Sequence, residues 1–277
     1  MVNYSEKKMP NLTSYKYYLR PIANNRFGSN NNSKHSQNVR NILKILALEG
    51  PMTTWEMAKS KFVKEPDKIR SKEKEFRRLF VGRKDRGKFS EGILDLDLVL
   101  VDEISTKRNP GNRYRLSIYG ILFCFDALDL KKEEIDKIAS NYSNLLPFVF
   151  GRWNFLKSII GDNVYNISLL GKGIFFDNPN IIKINDSEFY ELISYFGIKS
   201  NNVSGPLNEQ KISELISLWF FLTLLYFPKL IEKKNRSLLK KISKRDKEIH
   251  NLIKKFIDEA ELFYKLRTKI LKNISVI

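Results

Sequence analysis

Residues 66–83, PDKIRSKEKEFRRLFVGR, carry the reading that decides the fold. Pro66 suits the first position of a helix, where its missing N–H costs nothing. Ile69, Phe76, Leu79 and Phe80 then recur at spacings that place them on one side of that helix. Arg70, Lys74, Arg77 and Arg78 fall largely on the other side, available to solvent or to phosphate. The expected element is a basic helix from about Lys68 to Arg83.

Working outward, Val39, Ile42, Leu43, Ile45 and Leu46 predict an apolar helix over Asn38 to Glu49 that Gly50-Pro51 stops. Thr53 with Glu56 three residues later forms a capping box for the next helix, in which Trp55, Ala58 and Phe62 are expected to face the core. Downstream, Arg83-Lys84-Asp85-Arg86-Gly87-Lys88 reads as a basic turn, and Glu91 to Leu96 as a short helical lead. A strand at Leu98 to Val101 follows, then the turn Lys107-Arg108-Asn109-Pro110-Gly111-Asn112 and a return strand Arg113-Tyr114-Arg115-Leu116. Period-two alternation gives Tyr114 and Leu116 one face and leaves Arg113 and Arg115 free on the other. Ile118, Ile121, Leu122, Phe125 and Leu128 mark a closing helix.

Three helices followed by a basic hairpin is the winged helix-turn-helix pattern, which puts a helix in a groove of duplex DNA and a wing on the adjacent backbone. The groove helix could be the basic helix or the lead into the wing, and spacing alone does not choose. The phosphate-facing set is Arg70, Lys74, Arg77, Arg78, Arg83, Lys84, Arg86, Lys88, Lys107, Arg108 and Arg113. Arg77, Arg78, Arg83 and Arg113 are also candidates for guanine edges, which arginine can engage with two hydrogen bonds.

Charge supports the same partner. The 277 residues hold 49 Lys and Arg against 31 Asp and Glu, a net +18 with pI near 9.7. The excess is clustered, with 13 basic and 5 acidic residues from Lys59 to Lys88 and 11 against 3 from Lys229 to Lys255. Polyanions are the natural partners of such clusters.

The phrases Thr54-Trp55-Glu56-Met57-Ala58-Lys59, Glu73 to Leu79, Gly92-Ile93-Leu94-Asp95-Leu96 and Tyr114-Arg115-Leu116-Ser117-Ile118-Tyr119-Gly120 resemble archaeal winged-helix transcriptional regulators. The likeness covers roughly residues 38 to 128. It implies a cytoplasmic DNA-binding regulator whose downstream helical part dimerises or senses a signal. The segment Lys64 to Lys88 is longer than a compact winged helix needs.

The expected architecture is therefore mostly α (α+β). A flexible basic arm over residues 1–36, rich in Asn, precedes a winged helix-turn-helix domain over 37–129 and an all-helical domain over 130–277. Within the last, helices are expected at Glu133 to Asn144, Pro147 to Ile160, Ser187 to Phe196 and Glu209 to Phe227, with loops at Asp177 to Asn180 and Ser200 to Pro206. A final long helix from about Glu232 to Asn273 carries Leu252, Phe256, Phe263 and Leu266 in a near-heptad stripe. That stripe packs either on its own domain or along a second copy, and a homodimer suits a reader of paired half-sites.

Other chemistries have weaker support. Gly171-Lys172-Gly173 lacks the upstream glycine and following Ser or Thr of a phosphate loop. His35, His250 and the lone Cys124 make no zinc pattern, and neither a cofactor nor a catalytic triad is implied. Asp95, Asp97, Asp102 and Glu103 are the one group that could hold magnesium for a nuclease, the alternative reading of function. Met1 to Lys8 lacks an apolar signal core. The 13-residue apolar run Leu215 to Phe227 is short for a membrane span and reads as a buried core helix.

Overall fold

The computed structural model describes residues 34–61, 66–85, 88–95, 97–103, 111–168, 195, 209–226 and 240–274. Of the flexible arm expected over residues 1–36, residues 1–33 lie outside them and 34–36 are helical instead. The phosphate-loop question at Gly171, the loops after Asp177 and Ser200, and nearly all of the helix expected over Ser187 to Phe196 also lie outside them. Among the described residues the chain is mostly helical, with one three-stranded sheet and a separate hairpin. It divides into two compact units, Leu19–Trp153 with Tyr165–Gly173, and Met1–Tyr18 with Asn154–Val164 and Ile174–Ile277.

The first unit begins with α1 (Lys34–Glu49), β1 (Met52–Thr53), α2 (Thr54–Lys61) and α3 (Pro66–Val81). The hairpin β2 (Gly82–Asp85) and β3 (Lys88–Glu91) follows, then β4 (Val99–Glu103), β5 (Arg113–Leu116), α4 (Ile118–Ala127) and α5 (Lys132–Asn141). β5 lies between β1 and β4, antiparallel to both. Its register sets Met52 opposite Tyr114 and Val99 opposite Leu116.

Local chemistry fixes these boundaries. Gly50 ends α1 at φ 80°, a left-handed conformation that costs glycine little, and its N–H bonds Leu46 O at 3.0 Å. The Thr53 and Glu56 box forms in both directions, with N–H to side-chain distances of 3.1 and 2.8 Å. Ser117 caps α4 by accepting from Gly120 N at 3.0 Å. Gly120 has a second duty, since a Cβ there would sit 2.0 Å from Leu98 O. The glycine lets α4 lie directly against the backbone leading into β4.

α4 is buried around its whole circumference from Ile118 to Phe125 and forms the centre of the unit. α1 covers it with Val39, Ile42, Leu43, Leu46 and Ala47, and α3 contributes Ile69, Phe76 and Phe80 to the same core. Cys124 is fully buried there as a free thiol. α5 packs on α1, where Asn141 Nδ2 donates to Ala47 O and Leu48 O at 3.2 and 2.9 Å. Tyr142 ties three segments together, donating to Leu46 O at 2.8 Å and accepting from Leu116 N at 3.2 Å.

Four expectations are corrected here. Trp55 is 46% exposed, because the inward face of α2 is set by Thr54, Met57 and Ala58 at helical spacing and Trp55 stands off it. The basic turn and short helical lead are instead the β2–β3 hairpin followed by a turn over 93–95. The helix expected from Pro147 starts as a short 3-10 helix at Phe150–Arg152 and becomes α6 (Trp153–Ile160). The long final helix is broken at Asp246, whose carboxylate accepts from the N–H groups of Glu248 and Ile249 at 3.0 Å each and so starts α8 (Lys247–Ile274) as an N-cap.

Among the described residues the second unit is helical. α7 (Glu209–Tyr226) buries every residue from Leu215 to Phe221 and packs on α8, which turns Ile249, Ile253, Phe256 and Ala260 inward. Tyr195 covers part of the expected stripe, with its ring 5.6 Å from Phe256 and 5.5 Å from Phe263. Leu262 and Leu266 stay 60% and 54% exposed. No helix among the described residues is long and apolar enough to cross a membrane.

Candidate nucleic-acid interface

The 16 residues of α3 divide sharply by face. With Ile69, Phe76 and Phe80 buried, the opposite side presents Arg70, Lys74, Arg77, Arg78 and Val81, all exposed. Among the described residues Arg70, Lys74 and Arg78 have no carboxylate partner. Arg77 does: its Nε pairs with Glu73, one helical turn back, and Glu73 also accepts from Thr54 Oγ1 at 3.0 Å. That chain of contacts bolts α3 to the first turn of α2. On the flank nearer the core, Lys72 pairs with Glu75 at 2.7 Å, and Glu75 accepts from Asn38 of α1 at 2.5 Å. Glu73 and Glu75 are thus spent in fixing α3 to its neighbours, and its outer face carries Arg70, Lys74, Arg77 and Arg78 against the one exposed carboxylate of Asp67.

Val81, at 64% exposure, extends this face by one turn. Periodicity could have found it, since it follows Arg70, Lys74 and Arg77 at spacings of four, three and four, but an apolar residue is not sought among arginines.

The root of the β4–β5 hairpin meets the same helix. Tyr114 stacks on Phe80 with ring centroids 4.5 Å apart, and a Cβ on Gly111 would lie 3.9 Å from the Arg77 guanidinium. Burial raises the Tyr114 hydroxyl above its ordinary value, with Arg77 and a hydrogen bond from Asn112 opposing that rise. The tip residues Lys107 and Arg108 lie outside the described residues, as does Arg86. Arg83, Lys84 and Lys88 fall on β2 and β3, where the backbone alone is described.

The strand arginines are not free as expected. Arg113 Nη2 donates to Pro51 O at 2.5 Å, and Arg115 Nε pairs with Asp102 at 3.2 Å while its Nη1 reaches Leu116 O at 3.1 Å. The sheet order explains both, because β5 is flanked by β1 and β4 and its polar face finds partners on each side. Arg113 is therefore joined to the β1 end of the sheet, apart from the α3 set.

Three of the acidic residues around β4 have structural partners. Asp95 Oδ2 accepts from Gly92 N at 2.8 Å, Asp102 holds Arg115, and the Asp97 carbonyl accepts from Ser117 Oγ. Among the described residues no three of His, Cys, Asp and Glu gather as a metal-holding group.

No protein-family model matches the chain, and neither a curated protein nor a solved structure matches it.

Proposed function

We propose that the chain is a duplex-DNA-binding transcriptional regulator of the winged helix-turn-helix kind, with α3 as the helix that enters the major groove. The observation that carries this reading is the outer face of α3, where Arg70, Lys74 and Arg78 stand exposed while Glu73 and Glu75 are turned to other contacts. The order α1, β1, α2, α3, β4, β5, with β5 central in the sheet, suits that docking, since the helix and the wing root then adjoin.

In this reading Arg70 and Lys74 neutralise phosphates, Arg78 reaches a base edge, and Val81 offers apolar contact to a thymine methyl. The resemblance of residues 38 to 128 to archaeal regulators points the same way. Leu262 and Leu266 of α8 form the contact between two copies, which light scattering checks as a mass of twice 32.5 kDa.

The test is a titration of the intact protein against duplex DNA at several salt concentrations. Binding to several phosphates is expected to weaken about a thousandfold or more between low and moderate salt. Binding that ignores salt, or fails for every duplex, rejects the proposal.

A further inference from the structure

Resting on that reading, we propose that the β2–β3 hairpin is a second basic arm of the same interface, gripping the DNA backbone beyond the C-terminal end of α3. The hairpin pairs only with itself among the described strands, with Arg83 opposite Ser90, Lys84 opposite Phe89 and Asp85 opposite Lys88. A lone two-stranded hairpin is marginal in water, so its attachment decides whether it holds a position.

That attachment is unusually tight. Gly82 leaves α3 at φ 82°, and Gly92 returns so close that a Cβ would lie 2.0 Å from Phe80 O and 2.4 Å from Gly82 N. Ile93 N then donates to Leu79 O at 2.9 Å and Leu94 N to Phe80 O at 3.2 Å, occupying carbonyls that a helix end leaves open. The Asp95 carboxylate holds Gly92 N at 2.8 Å. The base of the hairpin is thereby welded to the last turn of α3, and each of its four-residue strands is about 13 Å long at about 3.3 Å per residue.

Composition says what such an arm is for. From Gly82 to Glu91 there are four basic and two acidic residues, and one large apolar residue, Phe89. A segment of that composition has little apolar side chain to give a core, whereas a cation-rich strand pair anchored at the end of a cationic helix suits a neighbouring stretch of the same polyanion. A rigid mount also spares the ordering cost that a floppy basic loop would meet on binding.

The experiment compares the parent chain with an Arg83→Ala, Lys84→Ala, Lys88→Ala variant on a random-sequence duplex of fixed length, by fluorescence anisotropy over a salt series. The slope of log affinity against log salt should fall by about one to two, at about 0.9 per phosphate lost, since Arg83 and Lys88 share one face of the strand pair and Lys84 takes the other. Swapping the same positions as Arg83→Lys, Lys84→Arg and Lys88→Arg should restore the parental slope. If the triple variant melts early, the single changes Arg83→Gln, Lys84→Gln and Lys88→Gln decide, each lowering the slope by up to about one. Parental slope and affinity in a normally melting triple variant overturn the arm and leave the reading of α3 standing. A parent that binds no duplex overturns both.

Discussion

α3 and α4 flank the same core and use their surfaces in opposite ways. α4 has no residue exposed from Ile118 through Phe125 and carries no charge until Asp126, so each of those side chains belongs to the fold. α3 gives the core three large side chains and keeps the rest of its circumference for contacts and cations. A helix sealed on all sides can only stabilise. A helix sealed on one side can carry a second property that varies without disturbing the first.

The sharpest break of that comparison is Gly120→Ala on α4. Its new methyl would meet a backbone oxygen that cannot step aside, and a loss of about 3 kcal/mol or more is expected in urea unfolding. Unchanged stability would show that α4 can shift, and that the sealed helix is less rigidly placed than its burial implies.

A smaller effect comes with alkali. Burial, aided by Asp97, pushes the Tyr119 hydroxyl up to about 12, and burial also raises Tyr142. In the unfolded chain both would ionise near pH 10. Folded pKa values above unfolded ones mean stability intact below pH 10 and lost as pH rises from there through about 12. Each tyrosine adds up to about 1.4 kcal/mol per pH unit to that decline. Tyr142→Phe, measured by urea unfolding at pH 9 and 11, should flatten it by removing one of the two groups, and an equal decline in the variant rejects the assignment.

The smallest effect on folding is expected on the open side of α3. Arg70→Ala, Lys74→Ala and Arg78→Ala together should move stability by less than about 1 kcal/mol, since exposed charges without fixed partners contribute little. The same variant should bind duplex DNA far more weakly than the parent in the salt titration. A large drop in melting temperature would mean that this face is held by contacts of its own and is not reserved for a ligand.

The division between the two helices was largely readable in the sequence, and so was the exposure of Arg70, Lys74, Arg77 and Arg78 on α3. Pro66 and the spacing of Ile69, Phe76 and Phe80 located α3 and, by subtraction, its cationic face. β5 was legible from four residues because its alternation is strict. The β2–β3 hairpin was not, since Arg83 to Glu91 has almost no apolar alternation and its closure depends on Gly92 meeting the end of α3, a contact between backbones that no side-chain pattern records. Arg113 and Arg115 were misjudged for a related reason. Their partners, Pro51 and Asp102, become neighbours only once the strand order is known. The break at Asp246 was hidden because Ile242 and Ile249, seven apart and both buried, keep the apolar rhythm across it. Trp55 was counted inward because it stands three residues before Ala58, whereas Thr54, Met57 and Ala58 define the inward face of α2.

Cys124 gives the core a clock. It is the one cysteine in the chain, it is fully buried, and burial drives its thiol well above the ordinary cysteine range. A thiol reagent can reach it only when α4 parts from α1, where the sulfur lies 3.9 Å from Leu43 O. The rate at which the native protein is alkylated therefore counts the openings of its centre one by one, without denaturant and without an introduced probe. That rate would report whether DNA held against the outer face of α3 slows the opening of a core that the DNA never touches.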